Sequence, residues 1–152
     1  MNQRARRTLP PLAAAVLSLL AAAAGGTGSL ALSPVQAVDP RAEVYNLRTY
    51  THANFTRLVL DIGVLREFVT SEARDTGMIT VDILQARLNP MVPTAVVPTG
   101  GDYIGGVRLI QKTPSTVRLQ AAVNFSRIKR TQVFPLQDPF RIVVDIFPRE
   151  PG

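Results

Sequence analysis

Residues 44–147 carry one pattern written twice, and this repeat narrows the possible folds more than any other feature of the chain. The first copy reads Val44-Tyr45-Asn46-Leu47-Arg48, then Thr56-Arg57-Leu58-Val59-Leu60, then Ile79-Thr80-Val81-Asp82-Ile83. The second reads Ile104-Gly105-Gly106-Val107-Arg108, then Val117-Arg118-Leu119-Gln120-Ala121, then Ile142-Val143-Val144-Asp145-Ile146. Arg48 corresponds to Arg108, Arg57 to Arg118 and Asp82 to Asp145, at offsets of 60, 61 and 63 residues. Turn lengths absorb so small a drift. Such a chain is expected to form two like halves related by a pseudo-two-fold axis.

Within each copy the apolar residues recur at every second position, the spacing of a half-buried strand. Leu58, Leu60 and Ile62 share one face, with Arg57, Val59 and Asp61 on the other. Ile142, Val144 and Ile146 alternate in the same way with Arg141, Val143 and Asp145. Gly77, Pro114 and Asp138-Pro139 stand at turn positions. These signals predict strands near 43–50, 55–62, 66–71, 78–85, 103–111, 115–124, 128–136 and 140–147. They divide into halves of about 43–85 and 103–147, joined by a Pro- and Gly-rich connector over 86–102. The expected fold is all-β, a sandwich of two symmetric four-stranded antiparallel sheets built from a duplicated unit. A domain of roughly 110 residues can bury about 60–70% of its unfolded surface, enough for one core.

The first 37 residues read as a secretory signal rather than structure. Arg4, Arg6 and Arg7 form a basic start without an acid, and Leu12 to Ala24 is apolar apart from Ser18. This stretch is shorter than the ~20 apolar residues that span a bilayer, so no stable membrane span is expected after cleavage. Cleavage is expected after Ala31 or Ala37. Residues 38–42 then form a leader, 43–148 the domain and 149–152 a tail. General secretion fits better than twin-arginine export, because Thr8-Leu9-Pro10 suits the latter poorly. The expected location is the periplasm. Without cysteine the chain can form neither a disulfide nor a lipoprotein anchor.

Removing the signal takes away three arginines and no acid, so the formal charge falls from +6 to +3. That modest value argues against nucleic acid as a partner. Only Lys112 and Lys129 among the remaining cations are lysines. Arginine makes planar two-point contacts with carboxylates and stacks on flat groups, which suits acidic or glycan ligands; a GC-rich genome would produce the same bias.

Catalytic chemistry finds little support. His52 is the only histidine and lies in the polar tip Thr51-His52-Ala53-Asn54, the place of a solvated loop residue. A zinc centre needs three protein ligands, and no Gly-x-Ser-x-Gly turn accompanies the histidine. No Walker spacing surrounds Gly100-Gly101 or Gly105-Gly106. Asp82 and Asp145 could be read as a glycosidase pair, but a simpler role is available. Arg57 with Asp82, and Arg118 with Asp145, project from the non-core face of the same copy, so ion pairs within each copy are expected. No enzyme activity, cofactor or metal is expected.

With these segments laid out, residues 42–148 resemble an AMIN domain. The resemblance rests on Val44-x-x-x-Arg48 leading to Thr56-Arg57-Leu58-Val59-Leu60-Asp61, on Val81-Asp82-Ile83, and on their second-half counterparts Val107-Arg108, Val117-Arg118-Leu119 and Arg141-Ile142-Val143-Val144-Asp145-Ile146. AMIN domains are non-catalytic modules of periplasmic N-acetylmuramoyl-L-alanine amidases and type IV pilus secretins. The resemblance implies two symmetric four-stranded sheets and a role in binding peptidoglycan to localise a cell-wall amidase or envelope complex. A family linker would begin where this chain ends, at Pro148-Arg149-Glu150-Pro151-Gly152, so a truncated or split product and a lone module are both open. The expected ligand is peptidoglycan, through its glycan or its stem peptide, with an amidase or secretin chain as a further partner. The alternative is a protein-interaction module of a secretin or other envelope assembly, working through an exposed strand edge. The candidate ligand-binding residues are Arg48, Arg57, Arg108 and Arg118 for carboxylates, with Tyr50 and Tyr103 for sugar rings.

Overall fold

Aliphatic residues at every second position build the long strands of this protein. The computed structural model describes residues 39–99 and 101–150; the expected signal segment lies outside them. Ten strands follow in order: β1 (Ala42–Thr51), β2 (Thr56–Ile62), β3 (Phe68–Ala73), β4 (Met78–Leu84), β5 (Ala86–Leu88), β6 (Ala95–Val96), β7 (Ile104–Thr113), β8 (Thr116–Val123), β9 (Ile128–Leu136) and β10 (Arg141–Pro148). The described residues are all-β apart from one 3-10 turn at Phe125–Arg127, where the Ser126 N–H donates to the Asn124 side chain. All eight strands expected from the alternation are present, with ends displaced by up to two residues.

The strands form two sheets of five, not four. Sheet A has the order β5-β1-β2-β10-β9 and sheet B the order β3-β4-β8-β7-β6. All neighbours are antiparallel except β1 and β5. The extra strands come from the expected connector. Gln85, at φ +49, separates β4 in sheet B from β5 in sheet A. Its left-handed backbone turns the chain so that Ala86, Arg87 and Leu88 pair with Ala42, Glu43 and Val44. Ala95 and Val96 then close the opposite sheet against Arg108 and Val107. A proline-rich segment therefore still supplies two edge strands, positions where a missing N–H costs little.

Each sheet joins hairpins from distant parts of the chain. Sheet A sets β1-β2 beside β10-β9, and sheet B sets β7-β8 beside β4-β3. The inward residues meet in one core. Leu58, Leu60, Ile142, Val144 and Ile146 from sheet A pack with Ile79, Val81, Ile83, Leu109 and Leu119 from sheet B, all fully or almost fully buried. Each such side chain contributes about 1.5–3 kcal/mol relative to exposure. Every residue of this core lies between Ala42 and Ile146, and Ala37–Gly152 forms a compact unit by itself.

The outer faces differ. In sheet B the central strands β4 and β8 alternate cleanly between buried and half-buried residues. In sheet A, β2 and β10 are buried on both faces, so Val59, Asp61, Val143 and Asp145 are covered although alternation put them outward. Arginine and aromatic side chains on neighbouring strands lie across them.

Candidate functional site

The outer face of sheet A is ordered by strand register. Arg48 on β1 is opposite Val59, Tyr50 opposite Arg57, and Asn46 opposite Asp61. Across the sheet centre, Arg57 is opposite Asp145, Val59 opposite Val143, and Asp61 opposite Arg141. Two carboxylates are taken up at once. Arg48 donates from Nε and Nη2 to Asp61 at 2.9 and 2.6 Å, and Asn46 Nδ2 donates to the same carboxylate at 3.0 Å. Arg57 donates from Nε and Nη2 to both oxygens of Asp145, each at 2.7 Å. These two-point contacts hold both guanidinium pKa values above their ordinary range, each chiefly through the hydrogen bonds to its aspartate.

Aromatic rings surround these pairs. The Arg57 guanidinium lies 5.3 Å from the Phe55 ring centre and 5.8 Å from that of Phe134. His52 stacks on Phe55, Phe55 packs against Phe147, and Arg130 sits 3.8 Å over Phe147. Arg48 also donates to the Tyr50 hydroxyl at 3.0 Å. Together Arg48, Tyr50, His52, Arg57, Val59, Leu136, Arg141 and Val143 line a cleft of about 280 Å³. Arg141 is the distinctive member. Its Nε donates only to the Pro139 carbonyl, and among the described residues no carboxylate lies within ion-pairing distance of it.

Sheet B presents a different face. Asp82 on β4 accepts from Arg118 Nε and Nη2 at 2.6 and 2.8 Å and from Lys112 Nζ at 2.9 Å. Hydrogen bonds from Arg118, and then from Lys112, lower the Asp82 pKa to about 2 against the cost of burial. Beside this cluster runs a groove of about 480 Å³ lined by Met78, Val96, Val97, Gly106, Ala122 and Arg108 with its neighbours. No carboxylate among the described residues pairs with Arg108.

The structure therefore gathers Arg48, Arg57 and Tyr50 on one face and Arg108 with Arg118 on the other. Two corrections follow, on the ion-pair partners and on Tyr103, while the carboxylate pair set aside above stays so. The ion pairs run Arg57–Asp145 and Arg118–Asp82, not within each copy, because β2 pairs with β10 and β4 with β8. Asp82 and Asp145 lie on separate sheets, each engaged by an arginine, so they form no carboxylate pair. Tyr103 is not a surface platform: it is 7% exposed and its hydroxyl shares a 2.6 Å hydrogen bond with Thr56 inside the core.

Arg141, His52 and the glycine floor of the sheet B groove were not among the expected ligand residues. The outward position of Arg141 on β10 was readable from alternation, but its lack of a counter-ion depends on where Asp61 turns. Among the described residues no helix is long and apolar enough to cross a membrane. No protein-family model matches this chain, and no curated protein sequence matches it.

Proposed function

We propose that this protein is a non-catalytic module of the bacterial periplasm that binds peptidoglycan and so localises a cell-wall amidase or envelope complex. The observation that carries the reading is the sheet A cleft, where Arg141 faces outward with no carboxylate partner among the described residues, beside Tyr50 and two guanidiniums already committed to aspartates. Such a surface offers one available two-point donor for a lactyl or peptide carboxylate and a half-exposed ring for a sugar face. The AMIN-like phrases supply the ligand class. We further read the chain as two copies of a four-stranded unit that exchange their second hairpins. In support, β1-β2-β10-β9 and β7-β8-β4-β3 follow the same order, with β5 and β6 added at equivalent edges.

The protein-interaction alternative has weaker physical support. The longest sheet edge, β9, carries Lys129, Arg130 and Pro135, residues that disfavour addition of a further strand. Sedimentation of the Ala37–Gly152 unit with purified sacculi tests the proposal. The wild-type protein should pellet, and Arg141→Glu should lower the pelleted fraction at least tenfold with its fold intact. Absence of pelleting by the wild-type protein at low salt would refute the reading.

A further inference from the structure

The hairpins β1-β2 and β7-β8 use the same layout but treat their arginines differently. In sheet A, the residue two before Arg48 is Asn46, opposite Asp61, and that carboxylate receives both side chains. In sheet B, the residue two before Arg108 is Gly106, opposite Ala122. The carboxylate and its amide donor are thus both replaced by residues with nothing to offer an arginine. The space they would fill is open, since a Cβ added to Gly106 would meet nothing within 4 Å. This space belongs to the 480 Å³ groove. Its floor is Gly105, Gly106 and Ala122, its walls are Met78, Val96 and the strongly exposed Val97, and Arg108 and Gln120 supply its polar groups.

We infer that the sheet B groove binds the free carboxylate end of a short peptide with small aliphatic side chains. Its carboxylate takes the position on Arg108 that Asp61 takes on Arg48. Charge complementarity selects this occupant, because Arg108 lacks a partner among the described residues while Lys112 and Arg118 are already held by Asp82. The apolar walls and glycine floor admit small side chains close to the backbone, and Gln120 is placed to hydrogen-bond a peptide amide. The groove lies on the opposite sheet from the Arg141 cleft, so the two sites stand or fall separately.

The test follows backbone amide shifts of the isotopically labelled Ala37–Gly152 unit. The probes are N-acetyl-trialanine, its C-terminal amide and hexanoate. The acid should give saturable shifts at Gly105, Gly106, Val107 and Ala122, and the amide should bind at least tenfold more weakly. Ala122→Asp restores the internal counter-ion and should abolish the shifts. Arg108→Gln, a surface change that leaves the core alone, should weaken binding at least tenfold, whereas Arg141→Gln should leave it unchanged. Equal binding of acid and amide, undiminished binding by Arg108→Gln, or no saturable shift at millimolar peptide would overturn the inference. Hexanoate binding as tightly as the tripeptide would overturn the peptide assignment. Sacculus pelleting by Arg141→Glu reports on the other site, so failure of one reading is distinguishable from failure of the other.

Discussion

Removing the Arg57 side chain is the sharpest test of how sheet A is held together. Asp145 is buried, with its side chain 5% exposed, and Arg57 supplies both of its short contacts, each 2.7 Å. Arg57→Ala leaves that carboxylate without a cation in a place that water reaches poorly. Breaking a buried pair by deleting one partner costs about 3–5 kcal/mol. Arg57 is itself 33% exposed, so solvent screens part of the interaction and the lower end applies. Loss of its contacts with the Phe55 and Phe134 rings adds about 0.5–1 kcal/mol each. The expected destabilisation is about 4–5 kcal/mol. In urea, with a slope near ~1.5 kcal/mol per molar, the midpoint should fall by about 3 M. Arg141→Ala, which removes no carboxylate partner, should cost less than about 0.5 kcal/mol. The double variant Arg57→Leu with Asp145→Leu should recover most of the loss, because no charge is left stranded. A cost below about 1 kcal/mol for Arg57→Ala would refute the account of Asp145 as a buried ion that depends on Arg57.

Three further outcomes are expected. Asp82 titrates near 2 when folded against 3.8 as a free side chain, so its contribution is complete above pH ~4 and is lost as pH falls from there towards 2. The amount is about 2 kcal/mol, and acid unfolding followed by circular dichroism should show it missing from Asp82→Asn. Gly77 has φ +66 and an added Cβ would lie 2.7 Å from the Val123 carbonyl oxygen, which makes the β3-β4 turn intolerant of a side chain. Gly77→Ala should cost about 2 kcal/mol or more by thermal melting, from left-handed strain plus the clash. Tyr103→Phe strands the buried Thr56 hydroxyl and should cost about 1–2 kcal/mol in urea unfolding without altering sacculus pelleting. A normal midpoint with lost pelleting would instead make Tyr103 a ligand residue.

Much of the fold was legible because it depends on short-range periodicity. Leu58, Leu60 and Ile62 could be assigned to one face from their spacing alone, and the structure buries all three. The same rule placed Val59 and Val143 outward, which is right for direction and wrong for exposure. Both are buried where Arg48 lies opposite Val59 and Phe134 opposite Val143 on the neighbouring strands, and spacing along one strand carries no record of such neighbours. Among the candidate residues, Arg48, Arg57, Arg108, Arg118 and Tyr50 do face outward. Tyr103 looked equally available from its neighbours, yet it closes the core against Thr56.

The sequence by itself determined the strand segments, their buried faces and the recurrence of arginine and aspartate at matching positions. These follow from alternation, a property of adjacent residues. Tertiary structure decided which arginine meets which aspartate, since Arg57 reaches Asp145 only because β2 and β10, 88 residues apart at these positions, are neighbours in one sheet. It also decided that Arg48 is neutralised and Arg108 is not. That difference rests on cross-strand register, which places Asp61 beside one arginine and Ala122 beside the other. Pairing between strands distant in sequence is set by how the whole chain closes around its core, so the chemistry of both outer faces emerges only once that closure is complete.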